Sequence, residues 1–183
     1  MYEIDKAATL LINGWSGHNR LADTLVVWCA NDLIFIMVAL VVLRWWKIGI
    51  HPPIRHTALV TGLSFIVALA VNMLIGLFIH RIRPNDAGIT HALIVISPDW
   101  SFPSDHSAAS MAIASALWFQ NRKKMATSLL FAAVAICVAR IFVGVHYVSD
   151  VIGGAIIGIS AAYVVSNSFG ENNKLSRQIV RLF

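Results

Sequence analysis

The stretch TALVTGLSFIVALAVNMLIGLFI, Thr57–Ile79, carries no charged side chain over its whole length. A helix rises 1.5 Å per residue, so about 20 apolar residues cross a ~30 Å hydrocarbon core. This stretch therefore reads as a membrane span, and four other mostly apolar stretches, each with at least one charged residue, read likewise: Leu21–Trp46, Asp105–Gln120, Met125–Val143 and Tyr147–Phe169. Asp105–Gln120 is short for a crossing. Ahead of them, Tyr2–Asn13 sets Ile4, Ala7, Ala8, Leu11 and Ile12 at helical spacing, with Glu3, Asp5 and Lys6 opposite. It is too short to span and reads as an interfacial helix.

Composition agrees. Of 183 residues, 58% are hydrophobic and 13% charged, against about 25% charged in ordinary soluble chains. Mean hydropathy is +0.74. These values exclude a disordered chain and argue against a water-soluble globule. The expected fold is all-α: a polytopic membrane helix bundle of about five spans plus the N-terminal interfacial helix. No internal repeat interrupts it, so residues 1–183 read as a single integral-membrane domain.

The net charge of +5 would suggest nucleic acid in a soluble protein. Here it is a sidedness signal, and no nucleic-acid partner is expected. Arg44, Lys47, Arg55, Arg122, Lys123, Lys124, Lys174, Arg177 and Arg181 fall on one side; Lys6, Arg20, Arg81, Arg83 and Arg140 fall on the other. The richer side is assigned to the cytoplasm. Trp45, Trp46 and Trp118 then mark the inner interface, and Trp15 and Trp100 the outer one. The N-terminus lacks a basic patch followed by an unbroken apolar run, so the first span is expected to direct insertion. Cys29 and Cys137 sit in apolar runs and read as small buried hydrophobes.

Ionisable groups at membrane depth are costly and mark candidate sites. Alternating spans bring Arg83, His106, Arg140, His146 and Asp150 to the same end of the bundle. His146 and Asp150, four residues apart, share one helix face. A carboxylate within reach of one imidazole nitrogen leaves the other free as nucleophile or ligand; the spacing fits equally a buried pair that only ties two spans together. In Ser101-Phe-Pro-Ser-Asp-His106, Ser104 is a natural N-cap, and the helix N-terminus behind it can hold an anion. His106 could protonate a departing oxygen, or be incidental to a capped helix start. Arg83 and Arg140 offer forks for phosphate oxygens. Arg81 could add a third or snorkel to headgroups. Arg140 lies in the apolar run Ala132–Val143, where a lone guanidinium needs an anionic partner.

That set suits phosphoryl transfer through a phosphohistidine. No carboxylate-rich ligand cluster, Cys/His zinc spacing or Gly-rich phosphate loop occurs, so neither a metal site nor a cofactor is expected. A non-catalytic lipid binder needs only the cations; the two histidines and the carboxylate exceed that need. Elsewhere, Gly154 and Gly158 form a GxxxG pair suited to helix packing. Asn72 reads as making an interhelical hydrogen bond. Asp32 marks a bend or an early exit from lipid.

These residues resemble the type 2 phosphatidic acid phosphatase superfamily. Arg83-Pro84 matches its first motif, Pro103-Ser104-Asp105-His106 its second, and Arg140, His146 and Asp150 its third. Asn72-x3-Gly76-Leu77, Ser101–His106 and Arg140–His146 are most like the bacitracin-resistance type of undecaprenyl-diphosphate phosphatase. The resemblance implies a metal-independent hydrolase that converts undecaprenyl diphosphate to undecaprenyl phosphate. Such an enzyme recycles the lipid carrier of peptidoglycan synthesis, as a multi-pass protein of the bacterial inner membrane with its site facing the periplasm or exterior. It implies His146 as nucleophile aided by Asp150, His106 as acid, and Arg83, Arg140 and Ser104 as phosphate ligands, with Arg81, Pro84 and Asp105 beside them. A phosphatase or phosphotransferase acting on phosphatidylglycerophosphate, phosphatidic acid or lipid A is the alternative. Three positions depart from the family pattern. Gly76 stands where the first motif has Lys, with Arg81 or His80 expected to compensate. Ala139 replaces Ser, and Asp105 replaces Gly with its carboxylate expected to point away from substrate.

Overall fold

In the computed structural model, residues 2–47, 52–95 and 99–169 are described. They form seven helices: α1 Tyr2–Asn13, α2 Arg20–Asn31, α3 Leu33–Lys47, α4 Pro52–Gly76, α5 Asp105–Phe119, α6 Lys123–Phe142 and α7 Val148–Ser168. Pro52 and Pro53 open α4, where a missing N–H costs nothing and the fixed φ suits the first turn. The side chains of Trp45 and Trp46, and Lys174, Arg177 and Arg181, lie outside the described residues. Trp15, Trp100 and Trp118 are exposed.

Among the described residues, three helices are long and apolar enough to cross a membrane: Ile54–Gly76, Lys123–Phe142 and Val148–Ser168. The expected first span is two helices, Arg20–Asn31 and Leu33–Leu43, bent by 42°. Asp32 sits at the break, so it marks a bend. At 15 residues, α5 falls short of the usual crossing length and occupies the centre, packed against α4, α6 and α7. Small residues face its neighbours: Ser107, Ala108, Ala109, Ala112 and Ala116 are all buried.

The bundle's outer surface is apolar. Phe35, Met73 and Phe131 are each about 70% exposed, as side chains facing acyl chains are and water-facing ones rarely are. The chain is thus a multi-pass membrane protein. Because lipid tails solvate Leu as well as a protein core does, the helices gain most from close packing. A Cβ on Gly154 would collide with the Ser104 carbonyl oxygen, and one on Gly158 with that of Ala108. The GxxxG pair therefore lets the α7 backbone lie directly on α5. Both cysteines are free; Cys137 is buried and Cys29 half-buried.

Helix α1 does more than its amphipathic pattern suggests. Its Asp5, Thr9 and Asn13, one helical face, dock on the same end of the bundle. The Thr9 hydroxyl oxygen accepts from the Val148 N–H at 3.2 Å, and Asp5 Oδ1 accepts from the Ser149 N–H at 2.9 Å. These are N–H groups of the first turn of α7, which no carbonyl of that helix can satisfy. Asn13 donates to the carbonyls of His91 and Phe142 at 2.9 and 2.8 Å. It thereby ties the long α4–α5 connection to the end of α6.

Candidate active site

The α4–α5 connection, the first turn of α5, the last turn of α6 and the α6–α7 turn enclose a cavity of about 160 Å³. Arg83, Asp99, Trp100, Pro103, Asp105, His106, Arg140 and His146 line it. Four of the five ionisable groups expected at one end of the bundle thus share one pocket. Asp150, fully buried, stands behind it.

His146 is 2% exposed, and both its ring nitrogens are engaged. Nδ1 lies 2.8 Å from the Ser101 carbonyl oxygen, which can only accept, so Nδ1 carries the proton. Nε2 lies 3.1 Å from Arg83 Nη1, which can only donate, so Nε2 presents its lone pair. Burial, with Arg140 and Arg83 nearby, lowers the His146 pKa below the ordinary imidazole value despite the opposing pull of Asp150. The ring is therefore neutral at physiological pH, with its unprotonated nitrogen facing the guanidinium that lines the cavity.

Asp150 does not bond the ring directly. Its Oδ2 is 3.8 Å from His146 Nδ1, beyond hydrogen-bond length. Oδ2 accepts instead from the Ser101 hydroxyl at 2.5 Å and the Tyr147 N–H at 2.8 Å, and Oδ1 accepts from Arg81 Nη1 at 2.6 Å. Ser101 is the intermediary: its hydroxyl bonds Asp150 while its carbonyl takes the imidazole proton. The i, i+4 spacing identified the pair but not this bridge.

Arg83 is held by Asp99, Nη2 to Oδ1 at 2.7 Å, and also donates to the Val145 carbonyl at 2.9 Å. The Asp99 side chain is 56% exposed. Asp99 has no signature in the sequence, because an acid in a long polar connection carries no local signal. Arg140 is 4% exposed and forms no ion pair among the described residues. Nη1 reaches only the Ala30 carbonyl and Asn31 Oδ1, each at 3.4 Å, and its buried Nε has no partner. A buried guanidinium left so unsatisfied is a strong anion receptor.

Other expected site residues sit differently. Arg81 neither lines the cavity nor snorkels. It bridges Asp5 and Asp150, both at 2.6 Å, and lies 3.8 Å above the Tyr147 ring. Two carboxylates outcompete a headgroup for it. Ser104 occupies the N-cap position of α5, yet its side chain makes no capping bond; its hydroxyl accepts from Ser107 at 3.2 Å. Pro84 is buried, its carbonyl accepting from Ile89 and Thr90. Asp105 lines the cavity instead of pointing away, held by Asn72 Nδ2 at 2.6 Å. Asn72 also donates to the Pro103 carbonyl at 3.0 Å, so its partners are the connection and the start of α5.

Beside the cavity runs a groove of about 390 Å³ lined by Leu69, Met73, Gly76, Leu77, Trp100 and Phe102 among others. Asp99, Trp100, Pro103 and Asp105 border both. A Cβ on Gly76 would meet nothing within 4 Å, so this position is open space.

Residues 57–174 match the model of the PAP2 superfamily. The undecaprenyl-diphosphatase BcrC of Bacillus subtilis (strain 168) is 36% identical over 163 residues, 89% of this chain and 81% of that protein. The crystal structure of a transmembrane PAP2-type phosphatidylglycerolphosphate phosphatase from Bacillus subtilis superposes with a TM-score of 0.69 at 20% identity, covering 94% of this chain and 88% of that one. Aquifex aeolicus LpxE gives a TM-score of 0.67 at 23% identity over 88% and 93%. At these identities the two structures establish a common fold. The family match covers the end of the bundle that carries the pocket, from α4 through α7, and the chain belongs to the PAP2 superfamily.

Proposed function

We propose that the chain is a metal-independent membrane phosphatase that removes the terminal phosphate of undecaprenyl diphosphate through a phosphohistidine on His146. The observation that carries this reading is the fixed tautomer of His146: Nδ1–H held by Ser101, and the Nε2 lone pair facing Arg83. Membership of the superfamily and 36% identity to an undecaprenyl-diphosphatase support the substrate class.

The terminal phosphate enters between Arg83, Arg140 and the N-terminus of α5. The N–H groups at Asp105, His106 and Ser107 have no intrahelical acceptor and point their dipoles at it. Arriving oxygens draw Arg83 Nη1 away from Nε2, uncovering the nucleophile. Nε2 attacks phosphorus in line, and the bond to the bridging oxygen breaks. His106 gives that oxygen its proton, so undecaprenyl phosphate leaves. Water then attacks the phosphohistidine, His106 takes its proton, the N–P bond breaks and inorganic phosphate departs. Arg83 and Arg140 neutralise charge on the equatorial oxygens throughout.

The apolar groove beside the cavity receives the first isoprenoid units, while the rest of the tail remains in lipid. The excess of Lys and Arg that the sequence assigns to the side opposite Arg83 and Arg140 supports an outward-facing pocket in a bacterial plasma membrane. Phosphate release by purified protein in detergent, from undecaprenyl diphosphate and a panel of lipid phosphates, tests the assignment. Wild type should release phosphate with chelator present and His146→Ala should not. Turnover by His146→Ala, strict dependence on an added divalent ion, or a clear preference for phosphatidylglycerophosphate would each refute the corresponding part.

A further inference from the structure

Asp5 belongs to a helix that the phosphate chemistry does not use, yet it is wired to the carboxylate behind His146. Its Oδ2 accepts from Arg81 Nη2 at 2.6 Å and from the Ser149 hydroxyl at 2.5 Å, and its Oδ1 accepts from the Ser149 N–H. The other arm of the same guanidinium, Nη1, donates to Asp150 Oδ1 at 2.6 Å. The Asp5 side chain is 12% exposed and that of Asp150 is fully buried. Burial raises the Asp5 pKa, but bonds from Arg81 and Ser149 outweigh it and hold the carboxyl below its ordinary value. Asp5 is therefore ionised, and two carboxylates share one cation.

The charge count matters to His146. An Arg81–Asp150 pair alone would be neutral as seen from the imidazole. With Asp5 drawing on the same guanidinium, the trio carries one net negative charge. The groups facing His146 are Asp150 from α7, Arg83 from the α4–α5 connection, Arg140 from α6 and His106 from α5. Asp99, exposed, pairs with Arg83. Two guanidinium groups thus depress the basicity of the imidazole, and the negative trio is their counterweight.

We propose that Asp5 is a positioning residue for the reaction: by sharing Arg81 with Asp150 it leaves net negative charge behind His146 and sustains the nucleophilicity of Nε2. The inference rests on His146 being the nucleophile. It assigns α1 a part in the chemistry as well as in packing.

The test is kcat, KM and the acid limb of kcat/KM, with melting temperature, for the full chain in detergent. Negative charge favours the protonated ring, so removing it moves the limb to lower pH. Asp5→Asn should lower kcat about tenfold with KM within about twofold, and move the limb down by about half a unit. Asp5→Glu should restore the limb. Arg81→Gln, which removes the shared cation, should move the limb the opposite way, and serves if Asp5→Asn does not fold. A limb unmoved in Asp5→Asn, or in Arg81→Gln where Asp5→Asn does not fold, overturns the proposal. A His146→Ala control separates the two readings. Phosphate release by it overturns the nucleophile itself; an inactive His146→Ala beside an unmoved limb overturns only the role of Asp5.

Discussion

The imidazole of His146 is oriented by the Ser101 carbonyl at 2.8 Å, and Asp150 acts on the ring through Ser101. One residue thus bonds both members of the pair, with its hydroxyl on Asp150 and its carbonyl on His146. A loop on the α4–α5 connection therefore sets the tautomer of a histidine on the α6–α7 turn.

Loss of Nε2 should end turnover. His146→Ala and His146→Gln are expected to lower kcat by about a thousandfold or more, as removal of a covalent nucleophile does. Single-turnover phosphate release measures it, and acid-labile labelling of wild type by phosphorus-32 substrate should vanish in both variants.

The acid limb of kcat/KM should lie below the ordinary imidazole pKa. A base works in its neutral form, which exists above its pKa, and burial with Arg140 and Arg83 lowers that of His146. Falling pH therefore spares the nucleophile until it passes below about 6.5. A limb at or above that value contradicts the buried, cation-flanked site.

Arg140 is expected to separate function from stability. Its buried Nε lacks a partner among the described residues, so the charge adds little to folding stability. Arg140→Leu should cut kcat/KM by about a hundredfold or more without lowering the melting temperature, because replacing an uncompensated buried charge by an apolar group is often neutral or stabilising. Arg140→Lys should recover only part of the activity, since an ammonium lacks the planar fork.

Gly76 tests the groove. Added atoms there meet open space, so Gly76→Phe should fold and melt like wild type while filling the channel beside Trp100. KM should rise for long-chain prenyl diphosphates and change little for a short-chain analogue; equal effects on both would remove the groove from the tail's path.

Gly158 tests the α5–α7 contact. A methyl there strikes the Ala108 carbonyl oxygen and lies 2.9 Å from the Ala112 nitrogen. Gly158→Ala should cost about 1–3 kcal/mol of stability, read as a lower melting temperature in detergent. Because α5 carries His106, activity should fall with it.

Much of this was legible in the chain itself. Spans announce themselves because apolar length is a local property: α1, α6 and α7 begin and end within two residues of their expected bounds, while α4 begins at Pro52, five residues before the expected Thr57. The GxxxG pair and the break at Asp32 are local signals too. Arg83, His106, Arg140 and His146 were identifiable because charge at membrane depth demands a reason, and alternating spans decide which ends meet.

Hydrogen-bond partners were not legible. Asp5 bonds a residue 144 positions away and Asn13 one 129 away, and neither has a periodicity or motif that points there. Arg81 looked like a phosphate ligand or a headgroup anchor because its alternatives, two acids from distant helices, are brought within 2.6 Å only by folding. The sequence alone determined that this protein is a helical membrane bundle with cations and histidines at one end. Only tertiary structure decided which nitrogen of His146 carries its proton and that buried Arg140 has no ion pair among the described residues. Those outcomes turn on differences of an ångström between groups far apart in the chain, and hydrogen bonds in a buried, low-dielectric site depend steeply on such differences.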